Sequence, residues 1–210
     1  MIDEQPRRST LTQRKRQAIL LAARGEFLEA GYRDTSMDRV AARAAVSKRT
    51  VYNHFPGKEA LFIAVAGVFI EEMQQAVSVE YQTERTLVEQ LIEIAEKEAE
   101  LITREDYVAI FRVFLTEVSH FPDLFNSVLA SSGNGHNPVE KWITYAVADG
   151  RLVVDDARLA STQFVSLIKG ALFWPQVAGY GEKASTSERQ TVIDGAVAMF
   201  LDHDLALGLT

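Results

Sequence analysis

The sequence predicts an all-α chain in two parts, a small three-helix head followed by a larger helical body, and three observations lead there. Apolar residues recur at helical spacing along almost the whole chain, with few candidate strands. Gly, Pro, Asn and Asp gather mainly between those periodic stretches. Charge also divides the chain: residues 1–60 carry twelve Lys/Arg against seven Asp/Glu, a net of +5, while the remainder carries a net of −12.

The 210 residues suit one or two domains, and 47% hydrophobic content is ample for a sizeable core. With no Cys, disulfides, thiolate metal sites and Cys nucleophiles are excluded, and a reducing compartment, the cytoplasm, is the expected location. No segment offers about 18 uninterrupted apolar residues, and no apolar stretch of signal-peptide type follows the basic start, so neither export nor a membrane span is indicated.

Taken in order, residues 1–10 are charged and aperiodic and are expected to be a disordered arm. Thr12 to Ala30 carries Ala18, Ile19, Ala22, Ala23, Phe27 and Ala30 on one face, and Gly31 closes it. Thr35 or Ser36 can cap a short second helix through about Ala44. Ser47 can cap a third, ended by Phe55-Pro56-Gly57, which sets a domain boundary between 57 and 58. The body, 58–210, reads as helices near 58–78, 85–103, 105–120, 122–130, 138–149, 156–178 and 186–205. Pro175 falls inside the penultimate long helix and should kink it.

Two short helices joined at Ala45-Val46 form a helix-turn-helix, whose second helix lies in the major groove of DNA. On that helix Val51 and Phe55 fall together on an inward face and leave Arg49, Thr50 and Asn53 on the other side. Arg can donate two bonds to guanine, Asn can pair with adenine, and a Thr methyl can meet thymine. Thr35, Ser36, Tyr52, His54 and Lys58 sit at helix starts or flanks, where hydroxyls, backbone N–H groups and a cation suit phosphate oxygens. The basic head on an acidic body fits that use; charge alone fits a solvated helical face equally well.

The run Phe27, Gly31-Tyr32, Thr35-Ser36-Met37, Val40-Ala41, Ala44, Val46-Ser47, Thr50-Val51-Tyr52, His54-Phe55, Lys58-Glu59 and Leu61 resembles the DNA-binding domain of the TetR family of bacterial regulators. That resemblance implies a helical head on a body that binds a ligand and dimerises. It implies Thr35, Ser36, Tyr52, His54 and Lys58 as phosphate contacts, with Ser47 at the helix start and Lys48, Arg49, Thr50 and Asn53 toward the bases. In the body, Phe111 to Val118 with Phe121-Pro122-Asp123-Leu124, then Ala148 to Leu152 and Asp156, Leu159 and Ala160, is similar to the AefR-like subset of TetR C-terminal domains.

Other chemistry finds little footing. The histidines His54, His120, His136 and His203 show no metal-ligand spacing. Ser131 to Gly135 lacks the phosphate-loop pattern, and there is no nucleophile elbow or framed carboxylate pair, so no cofactor, no metal and no enzymatic activity are expected. Phe69, Met73, Phe111, Phe114, Leu115, Trp142, Phe173 and Trp174, with Phe125 and Phe164, either line a small-molecule cavity or fill the core. The expected function is a homodimeric transcriptional regulator, most simply a repressor, that binds palindromic double-stranded DNA and is released by a small apolar or aromatic inducer. Pairing through the last two long helices is expected, along Leu159, Phe164, Leu167, Ile168, Ala171 and Leu172 in one and Val192, Ile193, Ala196, Met199 and Phe200 in the other. The alternatives are an activator, a ligand-independent regulator, or a helical enzyme or adaptor using its basic face on a phosphorylated partner.

Overall fold

The computed structural model describes residues 5–120, 137–180 and 183–207, and every regular element among them is a helix. Helix α1, Gln5–Asp34, is interrupted at Gly31, whose φ of 72° lies where only glycine rests without cost. Residues 5–10, expected as a disordered arm, are helical instead. Once a helix is nucleated, each added residue gains a hydrogen bond, and Pro6 suits a first turn whose N–H groups have no partner anyway.

Helices α2, Met37–Arg43, and α3, Lys48–His54, start where their caps predict: Ser36 accepts from Arg39 N, and Ser47 accepts from Thr50 N at 3.1 Å. They are followed by α4, Lys58–Ala76, α5, Leu87–Ile102, and α6, Glu105–His120. Thr86 and Glu89 close a reciprocal capping box at the start of α5. After the undescribed stretch come α7, Pro138–Ala148, α8, Ala157–Leu172, α9, Trp174–Ala178, and α10, Thr186–Leu207. The kink expected at Pro175 is a full break at Phe173, which ends α8 and leaves Trp174-Pro175 to begin a new helix. The helix expected at 122–130, Phe125 and the Ser131 to Gly135 run lie outside the described residues.

Packing separates two compact units. One holds the chain up to Ile70 together with the described residues of α6 from Ile110; the other holds 71–109 and the described residues from 137 onward. The division therefore falls within α4 and within α6. In the first unit Ile19, Ala23 and Phe27 of α1, Val40 of α2, Val51 of α3 and Leu61 of α4 are fully buried in one apolar cluster, against which Val113 and Phe114 of α6 also pack.

The second unit is built around α8, which packs on α5, α7, α9 and α10. Gln90 of α5 is fully buried and fully employed. Its Oε1 accepts from Trp142 Nε1 and Gln82 N, and its Nε2 donates to Gln82 O and Arg85 O. Arg151 and Asp149, just beyond α7, hold the same 81–85 connection through Tyr81, Thr83 and Arg85. The rows expected to pair between chains split in two. Phe164, Ile168, Leu172, Ile193, Ala196 and Phe200 are buried within their own chain, with Phe164 and Phe200 ring to ring at 5.1 Å, whereas Leu159, Ala171 and Met199 are exposed. The helical period places two faces on each helix, and the inner face was counted with the outer.

Between α2 and α3 the chain turns through Ala45 at φ 53°, a left-handed conformation that costs a residue with Cβ about 1–2 kcal/mol. Ala45 is exposed, so nothing but the backbone is at stake. Ala45→Gly is expected to raise unfolding stability by about 0.5–1 kcal/mol after the greater flexibility of unfolded glycine is discounted. Urea denaturation of the two proteins checks it, and an unchanged or lower midpoint contradicts the account of the turn.

Candidate nucleic-acid interface

Helix α3 is seven residues long, too short to persist alone in water, so its place is set by what it buries. Val51 is fully buried and Phe55 nearly so, worth about 1.5–3 kcal/mol each. The guanidinium of Arg16 on α1 lies 5.3 Å over the Phe55 ring and covers that end. With these two residues turned inward, Lys48, Arg49, Tyr52 and Asn53 are exposed, and Thr50 and His54 are half-buried. Donors and acceptors of Arg49 and Asn53 thus stand on the outer face of a helix whose orientation is fixed by its core side, as base reading requires. Ser47 is spent on the cap and on the Thr50 hydroxyl, 2.8 Å away.

Two residues expected at phosphates also make contacts within the chain. Thr35 is buried, and its hydroxyl donates inward to Gly31 O at 2.7 Å and toward Glu26 O at 3.1 Å. Its hydroxyl therefore closes the break in α1, leaving exposed Ser36 at the start of α2. Lys58 donates to Arg33 O at 2.8 Å and stands 4.6 Å over the Tyr32 ring. A cation on the last carbonyls of a helix offsets its negative end, so Lys58 holds α1 to the start of α4.

Acidic side chains lie close to the reading surface. Lys48 Nζ meets Asp38 Oδ2 at 2.5 Å. Arg43 donates to Glu26 at 3.2 Å and Glu29 at 2.7 Å. Arg39 Nε lies 2.8 Å from the other Glu26 oxygen, an ion pair whose N–H direction misses hydrogen-bond alignment. The hydrogen bond from Arg43 holds the Glu29 carboxyl below its usual range. These partners were not anticipated. The available signal was Glu26, which stands four residues after Ala22 and three after Ala23 on the apolar stripe of α1.

The aromatic set expected to line a cavity or fill the core is divided between the two units. In the first unit Phe69 and Phe114 are 6.1 Å apart, and Phe114 also meets Phe62 at 4.9 Å in the core beneath α1 to α3, while Leu115 is exposed; Phe111, half-buried, belongs to the same unit. In the second, Trp142 and Phe173 are fully buried, Phe173 edge-on to Tyr107, while Met73 is half-buried and Trp174 exposed. The second unit does contain an open groove of about 650 Å³ between α4 and α7, lined by Glu71, Gln74, Gln75, Ser78, Pro138, Lys141, Thr144 and Tyr145. These residues were not expected to line a site, because polar helix faces look alike until two of them are brought together.

Arg49→Ala and Asn53→Ala are each expected to cost about 1–3 kcal/mol on a recognised duplex and to relax base preference at one position. Lys58→Met keeps the stem but removes the bond to Arg33, and is expected to lower stability by about 1.5–3 kcal/mol with little change in salt dependence. Duplex titrations against salt, with urea denaturation alongside, separate these. Equal loss on every sequence with Arg49→Ala contradicts its reading role.

Comparison with known proteins agrees with this geometry. Residues 19–65 match the tetR family of bacterial regulatory proteins, and residues 89–203 match the C-terminal domain of AefR-like transcriptional repressors. The HTH-type transcriptional activator FasR of Mycolicibacterium smegmatis is 32% identical over 104 residues, 45% of this chain and 48% of that protein. The regulator RutR of Escherichia coli is 42% identical over 59 residues, 28% of each. The matched part thus spans about half or less of these curated relatives. Among solved structures, a TetR family regulator from Pseudomonas syringae pv. tomato is 36% identical, covers 89% of this chain and 95% of its own, and gives a TM-score of 0.71. The flavonoid-responsive regulator FrrA is 30% identical, covers 91% and 97%, and gives 0.76. No described helix is long and apolar enough to cross a membrane. The chain belongs to the TetR family of bacterial transcriptional regulators, with a C-terminal domain of the AefR-like class.

Proposed function

We propose that this regulator is a cytoplasmic homodimeric repressor that binds a palindromic operator and releases it when a small aromatic inducer binds. It acts by binding rather than catalysis. The observation that carries the reading is the exposed Arg49 and Asn53 face of α3, held outward by buried Val51 and Phe55. Repression is favoured by the AefR-like match; activation is the second reading, favoured by the likeness to FasR.

Dimerisation is supported by the outer faces of α8 and α10. Leu159 and Met199 are 54% and 62% exposed, with exposed Gly170, Ala171 and Ala198 on the same two helices. A methyl group added at Gly170 or Gly195 meets nothing within 4 Å, so these positions leave room for close approach of a partner helix. Two such pairs close an isologous interface, and the two heads then read half-sites about 34 Å apart.

An aromatic inducer is supported by the likeness to a flavonoid-responsive regulator over most of both chains. The α4 and α7 groove has a volume suited to such a molecule, with Tyr145 for stacking and Lys141, Gln74 and Thr144 as hydrogen-bonding groups. An inducer lowers operator affinity only by binding the DNA-incompetent state better, and a coupling of about 1–3 kcal/mol is roughly 5- to 150-fold.

Selection of bound sequences from random duplex DNA is expected to return a two-fold symmetric motif; an asymmetric or absent motif contradicts the dimeric reading. Met199→Arg is expected to give a folded monomer by sedimentation at micromolar concentration and to weaken binding to the full motif. With a flavonoid series as the probe, Tyr145→Ala is expected to weaken release of DNA at least fivefold while unliganded binding stays near the parent's. Tyr145 is 49% exposed, so its truncation spares the core. An unchanged response places the inducer elsewhere.

A further inference from the structure

Three cations on the helix-turn-helix each face a carboxylate. Arg39 and Arg43 of α2 meet Glu26, Arg43 also meets Glu29, and Lys48 at the start of α3 meets Asp38. Arg49, one residue on and exposed, has no ion pair among the described residues. Glu26 is 5% exposed, and a carboxylate is buried at considerable cost unless cations hold it. The backbone of α1 accommodates the arrangement: a Cβ at Gly25 would stand 2.6 Å from the Arg43 guanidinium carbon.

Lys and Arg on phosphates supply most of the sequence-independent part of DNA binding, and discrimination is the excess of specific over that non-specific binding. A helix-turn-helix lays its first helix across the DNA backbone, so unpaired cations on α2 would strengthen binding to every sequence alike. We propose that Glu26, Glu29 and Asp38 set the sequence specificity of this head by restraint: they occupy Arg39, Arg43 and Lys48, so that the base contacts of Arg49 and Asn53 decide where the protein stays. This rests on the DNA-reading assignment above. Loss of Asp38 frees Lys48 and loss of Glu26 frees Arg39, whereas Arg43, held by both Glu26 and Glu29, is freed only when both are lost. Each cation so engaged steepens the logarithmic salt dependence by about 0.9 and strengthens non-specific binding roughly fivefold at about 0.15 M salt.

The test titrates two duplexes across salt, one recovered by selection and one of scrambled sequence, with the parent, Asp38→Asn, Glu26→Gln, and Glu26→Gln combined with Glu29→Gln. Asp38 is 55% exposed, so Asp38→Asn keeps its fold and decides the matter even if the Glu26 variants do not. Each is expected to bind the scrambled duplex several-fold more tightly with a steeper salt slope, and to discriminate less between the two. Lys48→Ala added to Asp38→Asn is expected to return the slope to the parent's. Folded variants with the parent's slope and scrambled-duplex affinity, or with weaker binding to both, overturn the restraint while leaving the reading helix in place. A folded parent that binds neither duplex overturns the DNA reading, and the restraint with it.

Discussion

The head depends on one anchoring contact, the burial of Val51 and Phe55 in the apolar cluster that α1, α2 and α4 also build. A seven-residue helix cannot hold its own shape, so every outward direction on α3 is inherited from those two inward side chains. Turning Arg49 and Asn53 to solvent needs no further device. The Ser47 cap fixes where the helix begins, and Arg16 over Phe55 covers where it ends. Substitutions on the outer face can then be made without disturbing the fold, since exposed changes away from caps and cores cost little.

The polar chemistry around that anchor falls into two kinds of work. Thr35 and Lys58 close the end of α1: one donates to Gly31 O, the other to Arg33 O, and Tyr32 lies under the ammonium. Glu26 and its neighbours bind α2 to α1 through arginines. Both kinds use residue types that also contact phosphate, which is why a charged head does not by itself give the number of its DNA contacts. In the second unit Gln90 serves a comparable purpose in a neutral form, satisfying Trp142 and the 82–86 backbone from one buried amide.

Local chemistry was legible in the sequence. Ser36 and Ser47 cap the helices they precede because an N-cap is decided within three or four residues, and Gly31 and Pro175 interrupt α1 and α8 through backbone geometry that no packing overrides. The outer face of α3 was legible for the same reason, since a helical wheel needs only the identity of the buried side. What depends on distant partners was not. Thr35 and Lys58 have the right chemistry for phosphate, and the carbonyls four and twenty-five residues away that they also meet leave no mark in the sequence. Phe114 and Trp142 could each be core or cavity wall from the sequence, and the contacts that Phe114 makes with Phe62 and Phe69, and Trp142 with Gln90, leave no mark in it. The polar α4 and α7 groove left no periodic signal at all.

The central claim, that α3 reads sequence through Arg49 and Asn53, is tested most directly by following their side-chain N–H signals by NMR during titration. Two duplexes of equal length and composition are compared, one recovered by selection and one scrambled. The account predicts that the Arg49 guanidinium and Asn53 amide signals move on the selected duplex and stay near their free positions on the scrambled one, while backbone signals at the start of α2 move on both. Identical movement of Arg49 and Asn53 on the two duplexes would contradict it.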